Sequence, residues 1–386
     1  MACARRGPLT GLCSSRRRRD ELDASAQRPS NNGLWLGAVA VPRAEDGLTD
    51  VVFEPAAFDP VQGEQAVIRF QSNRSGQAII RLFGPDWHQV RELAIEGIEP
   101  EGPASVAWDG RDDEGNLVPA EVYFPVIELT DRKGEVRTID PTLGPRPGQV
   151  FVEDLRFDPE RGAVTYSLQA PARVTLLAGI SDGGPLLRTL VADAPRRAGP
   201  HHEPWDGMDA DGVVDVPAQP GFRLYAEGVG VWQPSVAVTS GSDESYFQYR
   251  RRVESRLVKQ RPDIRVIGGT PAALPKPVDM TPEPRFDLSV SGTPDEDGLP
   301  VVSGRVLVQV ALEESVRIPV IERRFEIVLF VDQRFVTEVE DGRSPATVIW
   351  DSTQVSDGEH LLTVNVATLP GQISAASLRV RVRNNP

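Results

Sequence analysis

Cysteine is almost missing from this 386-residue chain: Cys3 and Cys13 are its two thiols, both near the start. No disulfide can staple residues 14–386 and no thiol chemistry is available there, so cysteine usage leaves the redox compartment open. Histidine is scarce too, at four residues. Its densest cluster, His201-His202-Glu203, puts neighbours on opposite faces of a strand, which is a poor ligand set for a transition metal. Long apolar runs are absent, and nothing approaches the roughly 18 residues of a membrane-spanning helix. Also missing are G-x-S-x-G, H-E-x-x-H and a G-x-x-x-x-G-K-[ST] phosphate loop. The expectation is therefore no catalytic residue, no cofactor and no enzyme. An excess of basic charge is confined to two stretches of the chain. The net charge is −14, yet residues 1–31 hold seven basic side chains and residues 246–265 hold seven more. The rest is strongly acidic, which disfavours contact with nucleic-acid phosphates. Arg16–Arg19 could open a secretory leader, but Asp20-Glu21-Leu22-Asp23 follows where an apolar core is needed.

What the chain has in quantity is turn residues, with 34 glycines and 34 prolines, as short strands joined by tight turns would require. It also repeats itself. FDPVQGEQAVIRF from Phe58 matches FDPERGAVTYSL from Phe157, each a Phe-Asp-Pro, a turn ending in Gly and an alternating strand. QAIIRLF from Gln77 matches RVTLLA from Arg173, and Val90-Arg91-Glu92-Leu93 matches Leu187-Arg188-Thr189-Leu190. Trp108-Asp109-Gly110 then recurs as Trp205-Asp206-Gly207. The Phe-Asp-Pro motifs lie 99 residues apart and the Trp-Asp-Gly motifs 97. So steady an offset predicts two tandem copies, over 51–141 and 147–235, joined by the stiff segment Gly144–Gly148. Residues 1–31 read as a disordered basic tail and 32–50 as a lead-in strand. Residues 236–284 read as a linker: Glu244–Gln260 can form a short helix, and the Pro-rich stretch after it is extended. Residues 285–386 return to β pattern as a third domain, with a hairpin turn at Asp332-Gln333 and a third Trp-Asp pair, Trp350-Asp351.

The first two copies resemble the immunoglobulin-like domain of bacterial flagellar hook-capping proteins. The most specific stretch is WDGRDDEGNLVPAEVYF from Trp108; the second copy, WDGMDADG from Trp205, is more divergent. The third domain resembles bacterial immunoglobulin-like surface domains through FEIVLFVDQRFV, Trp350-Asp351 and DGEHLLTV. The hook-capping family's own assembly region has no counterpart, so hook capping is not implied. The resemblance implies an all-β chain of three tandem immunoglobulin/fibronectin-type-III-like β-sandwiches in an extracytoplasmic setting: periplasm, cell surface or medium. It implies other proteins of a surface or secreted assembly as partners and names no reaction.

Two kinds of site compete on these motifs. Asp109, Asp112, Asp113, Asp206, Asp209 and Asp211 could hold Ca²⁺, but neither turn has the bidentate Glu of an EF-type loop. The structural alternative is preferred. On it Asp109 and Asp206 accept backbone amides, Gly110, Gly115, Gly207 and Gly212 take positive φ, Asp351 belongs to a third such turn, and Trp108, Trp205 and Trp350 close the ends of cores. Trp87, at a hairpin tip, and the basic run Arg250-Arg251-Arg252 are the candidate contact residues. The function expected is a non-enzymatic scaffold or adhesion subunit, with a carbohydrate- or ligand-binding module as the alternative.

Overall fold

The computed structural model describes residues 48–139, 148–231, 234–254 and 282–385. The expected tail, most of the lead-in strand, the Gly144–Gly148 joint up to residue 147, and linker residues 255–281 lie outside these. The described chain is all-β and forms three β-sandwiches.

The first sandwich begins with β1 (Leu48–Glu54), β2 (Ala57–Phe58), β3 (Ala66–Ser72), β4 (Gly76–Phe83), β5 (Gln89–Ile98), β6 (Pro103–Trp108), β7 (Glu121–Asp131) and β8 (Val136–Ile139). The second comprises β9 (Gln149–Val150), β10 (Val152–Asp158), β11 (Ala163–Leu168), β12 (Ala172–Ile180), β13 (Leu186–Arg196), β14 (Gly199–Pro204) and β15 (Phe222–Gly230). The chain then adds β16 (Val236–Val238) and α1 (Tyr246–Glu254). The third holds β17 (Phe286–Val290), β18 (Thr293–Pro294), β19 (Pro300–Val302), β20 (Arg305–Leu312), α2 (Glu314–Glu322), β21 (Phe325–Val331), β22 (Arg334–Val339), β23 (Ala346–Asp351), β24 (Gly358–Thr368) and β25 (Ile373–Val382).

Each sandwich pairs a three-stranded sheet with a larger one. The small sheets run β1-β3-β6, β10-β11-β14 and β17-β20-β23. Their facing sheets run β2-β16-β7-β4-β5, β13-β12-β15-β9 and β18-β19-β25-β24-β21-β22. Period-two alternation builds the interiors. In β3, Ala66, Ile68 and Phe70 are buried while Arg69 and Gln71 face water; in β20, Val306, Val308, Val310 and Leu312 are buried while Arg305, Leu307 and Gln309 are exposed. Asp332 and Gln333 both take positive φ, 46° and 65°, as a two-residue hairpin loop requires.

The stretch expected as a linker departs from that expectation. β16 lies between β2, which it pairs in parallel, and β7, which it pairs antiparallel. Tyr246, Tyr249 and Val253 of α1 are buried in the first sandwich's core. Residues 236–254 thus complete the first sandwich, and the second is inserted into it. The physical reason is exposed backbone: without β16 the edge of β7 and the two residues of β2 would lack partners. Gly84 gives α1 its seat, because a methyl group there would overlap the Tyr246 hydroxyl.

Candidate functional site

The repeated motifs prove to be halves of one contact. Phe58 meets the Trp108 ring edge-on at 5.6 Å, and Phe157 meets Trp205 at 4.8 Å. Phe-Asp-Pro and Trp-Asp-Gly therefore pack on each other, closing the same end of each core. The turns share most of their hydrogen bonds. Trp108 Nε1 donates to the Arg111 carbonyl (2.9 Å), and Trp205 Nε1 to that of Met208 (2.7 Å). Asp109 Oδ1 accepts the Arg111 amide and Asp206 Oδ1 that of Met208. Buried Asp112 accepts the Asn116 amide at 2.8 Å, and buried Asp209 accepts Val213 at 2.7 Å and Val214 at 3.0 Å. Gly110 and Gly207 take φ of 74° and 85°. The arginines of the shared strand ending complete the pattern: Arg91 Nη1 donates to the Asp112 carbonyl and Arg188 Nη1 to the Asp209 carbonyl. Trp350 is equally buried, and Asp351 accepts both the amide and the hydroxyl of Thr353.

Asp113 and Asp211 leave this pattern. Asp113 accepts the Glu92 amide, whereas Asp211 reaches into the third sandwich and accepts the Ser377 amide at 2.6 Å. Among the described residues no three acidic, His or Cys side chains gather at metal-binding distance. The His201 ring stacks on Tyr166 at 5.0 Å and contacts the Arg197 carbonyl, while Glu203 is paired with Arg196.

The contact candidates differ in how far they are exposed. Trp87, at positive φ (64°), is half-buried with its ring against Phe124 at 4.5 Å and Phe83 at 5.9 Å. The basic run sits on α1. Arg250 pairs with Asp86, which also accepts the Tyr246 hydroxyl at 2.7 Å, so it fastens the helix to the hairpin tip. Arg252 pairs with Glu244 and lies over the Tyr249 ring, whose hydroxyl approaches Asp112 at 3.4 Å. Arg251 is exposed and lies over Phe247 at 6.0 Å.

The larger surprise is where the sandwiches meet. Arg173 on β12 is a hub. It bonds Glu121 of the first sandwich, the Asp193 carboxylate at 2.9 and 3.0 Å, and the Asp193 carbonyl at 2.8 Å. Burial pushes the Glu121 carboxyl up, with Arg173 opposing. Arg197 adds a second tie, to Glu64 at 2.9 Å. The third sandwich docks on the same β12–β13 sheet. Asn365 mimics a strand residue: its Oδ1 accepts the Leu186 amide and its Nδ2 donates to the Leu186 carbonyl, both at 2.9 Å. Thr189 donates to the Ile373 carbonyl, and Leu177, Leu186 and Ala375 form a small apolar cluster with Ile373 beside it. Arg173, Glu121, Glu64 and Thr189 lie within the repeated stretches, but not at the Phe-Asp-Pro or Trp-Asp-Gly positions that define them. The contacts between sandwiches join residues 52 to 184 positions apart in the chain.

No family model matches the chain, and no curated protein matches it in sequence. Its fold is similar to solved structures. One is FLGD from P. aeruginosa, at 17% identity over 32% of this chain and 83% of that one, with a TM-score of 0.20. Another is a tetra-tandem repeat from the extending region of a large adhesion protein, at 13% identity over 86% and 73%, with a TM-score of 0.19. A third is an endo-β-1,4-mannanase from Thermotoga petrophila, at 17% identity and TM-score 0.18; only 26% of this chain and 20% of the mannanase are covered. At such identities and scores these likenesses say nothing of what this chain does.

Proposed function

We propose that the chain is a non-enzymatic scaffold or adhesion subunit of a bacterial cell surface or extracellular assembly. The observation that carries this reading is the junction. One face of the second sandwich takes the buried Arg173 hub on one side and the Asn365 strand-like clasp on the other. Three sandwiches are thereby held at set angles, and their loops and edge strands are presented in a fixed pattern to other chains. The acidic turns support the same reading. Their carboxylates hold backbone amides, as structural turns do. The extracytoplasmic setting rests on the sequence resemblance.

Two measurements test this. Fractionation of the native cells should place the protein outside the cytoplasm; recovery in the cytosol alone refutes the surface assignment. Small-angle scattering should fit one fixed arrangement of three sandwiches. A profile needing free swinging between the second and third refutes the scaffold geometry.

A further inference from the structure

A cavity of about 350 Å³ opens where the three sandwiches meet, and each contributes to its wall. That volume lies at the lower end of the roughly 300–1,000 Å³ typical of small-molecule sites. Its charged groups are Glu121 from the first sandwich, Arg173 and Asp193 from the second, and Glu283 and Arg285 from the segment entering the third; Phe247 of α1 adds an aromatic wall. These charges do not balance locally. Arg173 is fully taken up by Glu121 and Asp193. Arg285 turns to Glu313, at 3.6 Å. Arg188 is bound to the Asp209 carbonyl. Glu283 is left with no cation at ion-pairing distance among the described residues. Burial pushes its carboxyl up, against the pull of Arg285 and a Ser374 hydroxyl.

We propose that this cavity is a binding site for a guanidinium or primary ammonium group, with Glu283 as its counter-ion and Phe247 flanking the alkyl stem. A carboxylate withdrawn from water gains most from a cation that brings its own hydrogen bonds, and an aromatic wall suits both the charge and its stem. The same chemistry is carried by a free small molecule and by a basic side chain of a partner protein. The inference goes beyond the scaffold reading and does not depend on it.

The test is calorimetric titration of the full chain at low salt with two probes, agmatine and the peptide Gly-Arg-Gly. Binding with a dissociation constant below about 1 mM is expected for at least one probe. Glu283→Gln should weaken it by about tenfold or more, the value of a lost charge-assisted hydrogen bond. Since Glu283 makes no ion pair among the described residues, this variant should keep the wild-type urea midpoint, which separates loss of binding from loss of fold. Tighter binding of agmatine points to a free cation, and tighter binding of the peptide to a protein side chain; either supports the site. No heat from either probe up to about 10 mM, or equal binding by a folded Glu283→Gln variant, overturns it.

Discussion

Replacing Arg173 by Met removes the hub between the first two sandwiches while keeping much of its volume. Glu121 would then be a carboxylate with 4% of its side chain exposed and no cation beside it. An isolated buried charge is so costly that the group takes up a proton instead. That proton sets the ceiling on the penalty. From an ordinary carboxyl value of 4.5, protonation at pH 7 costs about 3.4 kcal/mol, at 1.36 kcal/mol per pH unit. At pH 5 the same step costs only about 0.7 kcal/mol. Asp193, a third exposed, stays hydrated and adds little. Arg173→Met should therefore destabilise the joined first and second sandwiches by about 3 kcal/mol at pH 7 and by under about 1 kcal/mol at pH 5. Adding Glu121→Gln should recover most of the loss, since an amide oxygen can still accept the Val122 N–H that Glu121 holds. Urea unfolding followed by tryptophan fluorescence reads this directly, because Trp108 and Trp205 report one sandwich each. A deficit under about 1 kcal/mol at pH 7, one of equal size at both pH values, or no rescue in the double variant would refute the reasoning.

Asn365→Ala strips both partners from the Leu186 backbone and should cost about 2–3 kcal/mol; hydrogen exchange at the Leu186 amide should rise before that of the third sandwich's core. Asp209→Ala frees two buried amides and should cost the second sandwich about 2–4 kcal/mol in urea unfolding, while Asp206→Ala, losing one exposed bond, should cost under about 1 kcal/mol. Both ring nitrogens of His360 face acceptors, Asp332 Oδ2 at 2.6 Å and the Ser356 carbonyl at 2.8 Å, an arrangement that only the protonated ring satisfies. Burial pulls its pKa down, but those two acceptors outweigh it and hold it above the ordinary 6.5. The stabilisation is thus fully present below pH 6.5 and lost as pH rises through the folded-state value. Thermal unfolding of the third sandwich should show that decline, His360→Asn should remove it, and an NMR titration of His360 at or below 6.5 would contradict it.

The repeats were legible because both of their motifs are written in large, rare residues. Phe157 and Trp205 stand out in any register, and their contact fixes the end of a sandwich. Alternation in β3, β11 and β20 was legible for the usual reason, one face wet and one dry. β16 was hidden because three small residues show no period, and its partner Ala57 lies 180 positions back. The first half of the expected helix was correctly placed, since Tyr246, Tyr249 and Val253 keep helical spacing. Its docking was not legible, because a buried tyrosine face reads the same on any partner. α2 was masked by Pro319, which breaks the helical pattern, although Val316 and Val320 on either side of it are buried. The junction was least legible. Glu121, Arg173 and Asn365 look like surface residues one at a time, and their meaning lies entirely in long-range pairing.

The insertion of the second sandwich into the first reverses what tandem duplication usually permits. Beads copied along a chain can fold in turn as the ribosome releases them and can be cut apart at their joints. Here the first bead stays open until the second has been synthesised, since β16 and α1 come after it. A truncation at residue 235 would damage the sandwich that lies furthest from the cut. Tension passed along the backbone would stretch the second copy only after β16 had been drawn out from between β2 and β7.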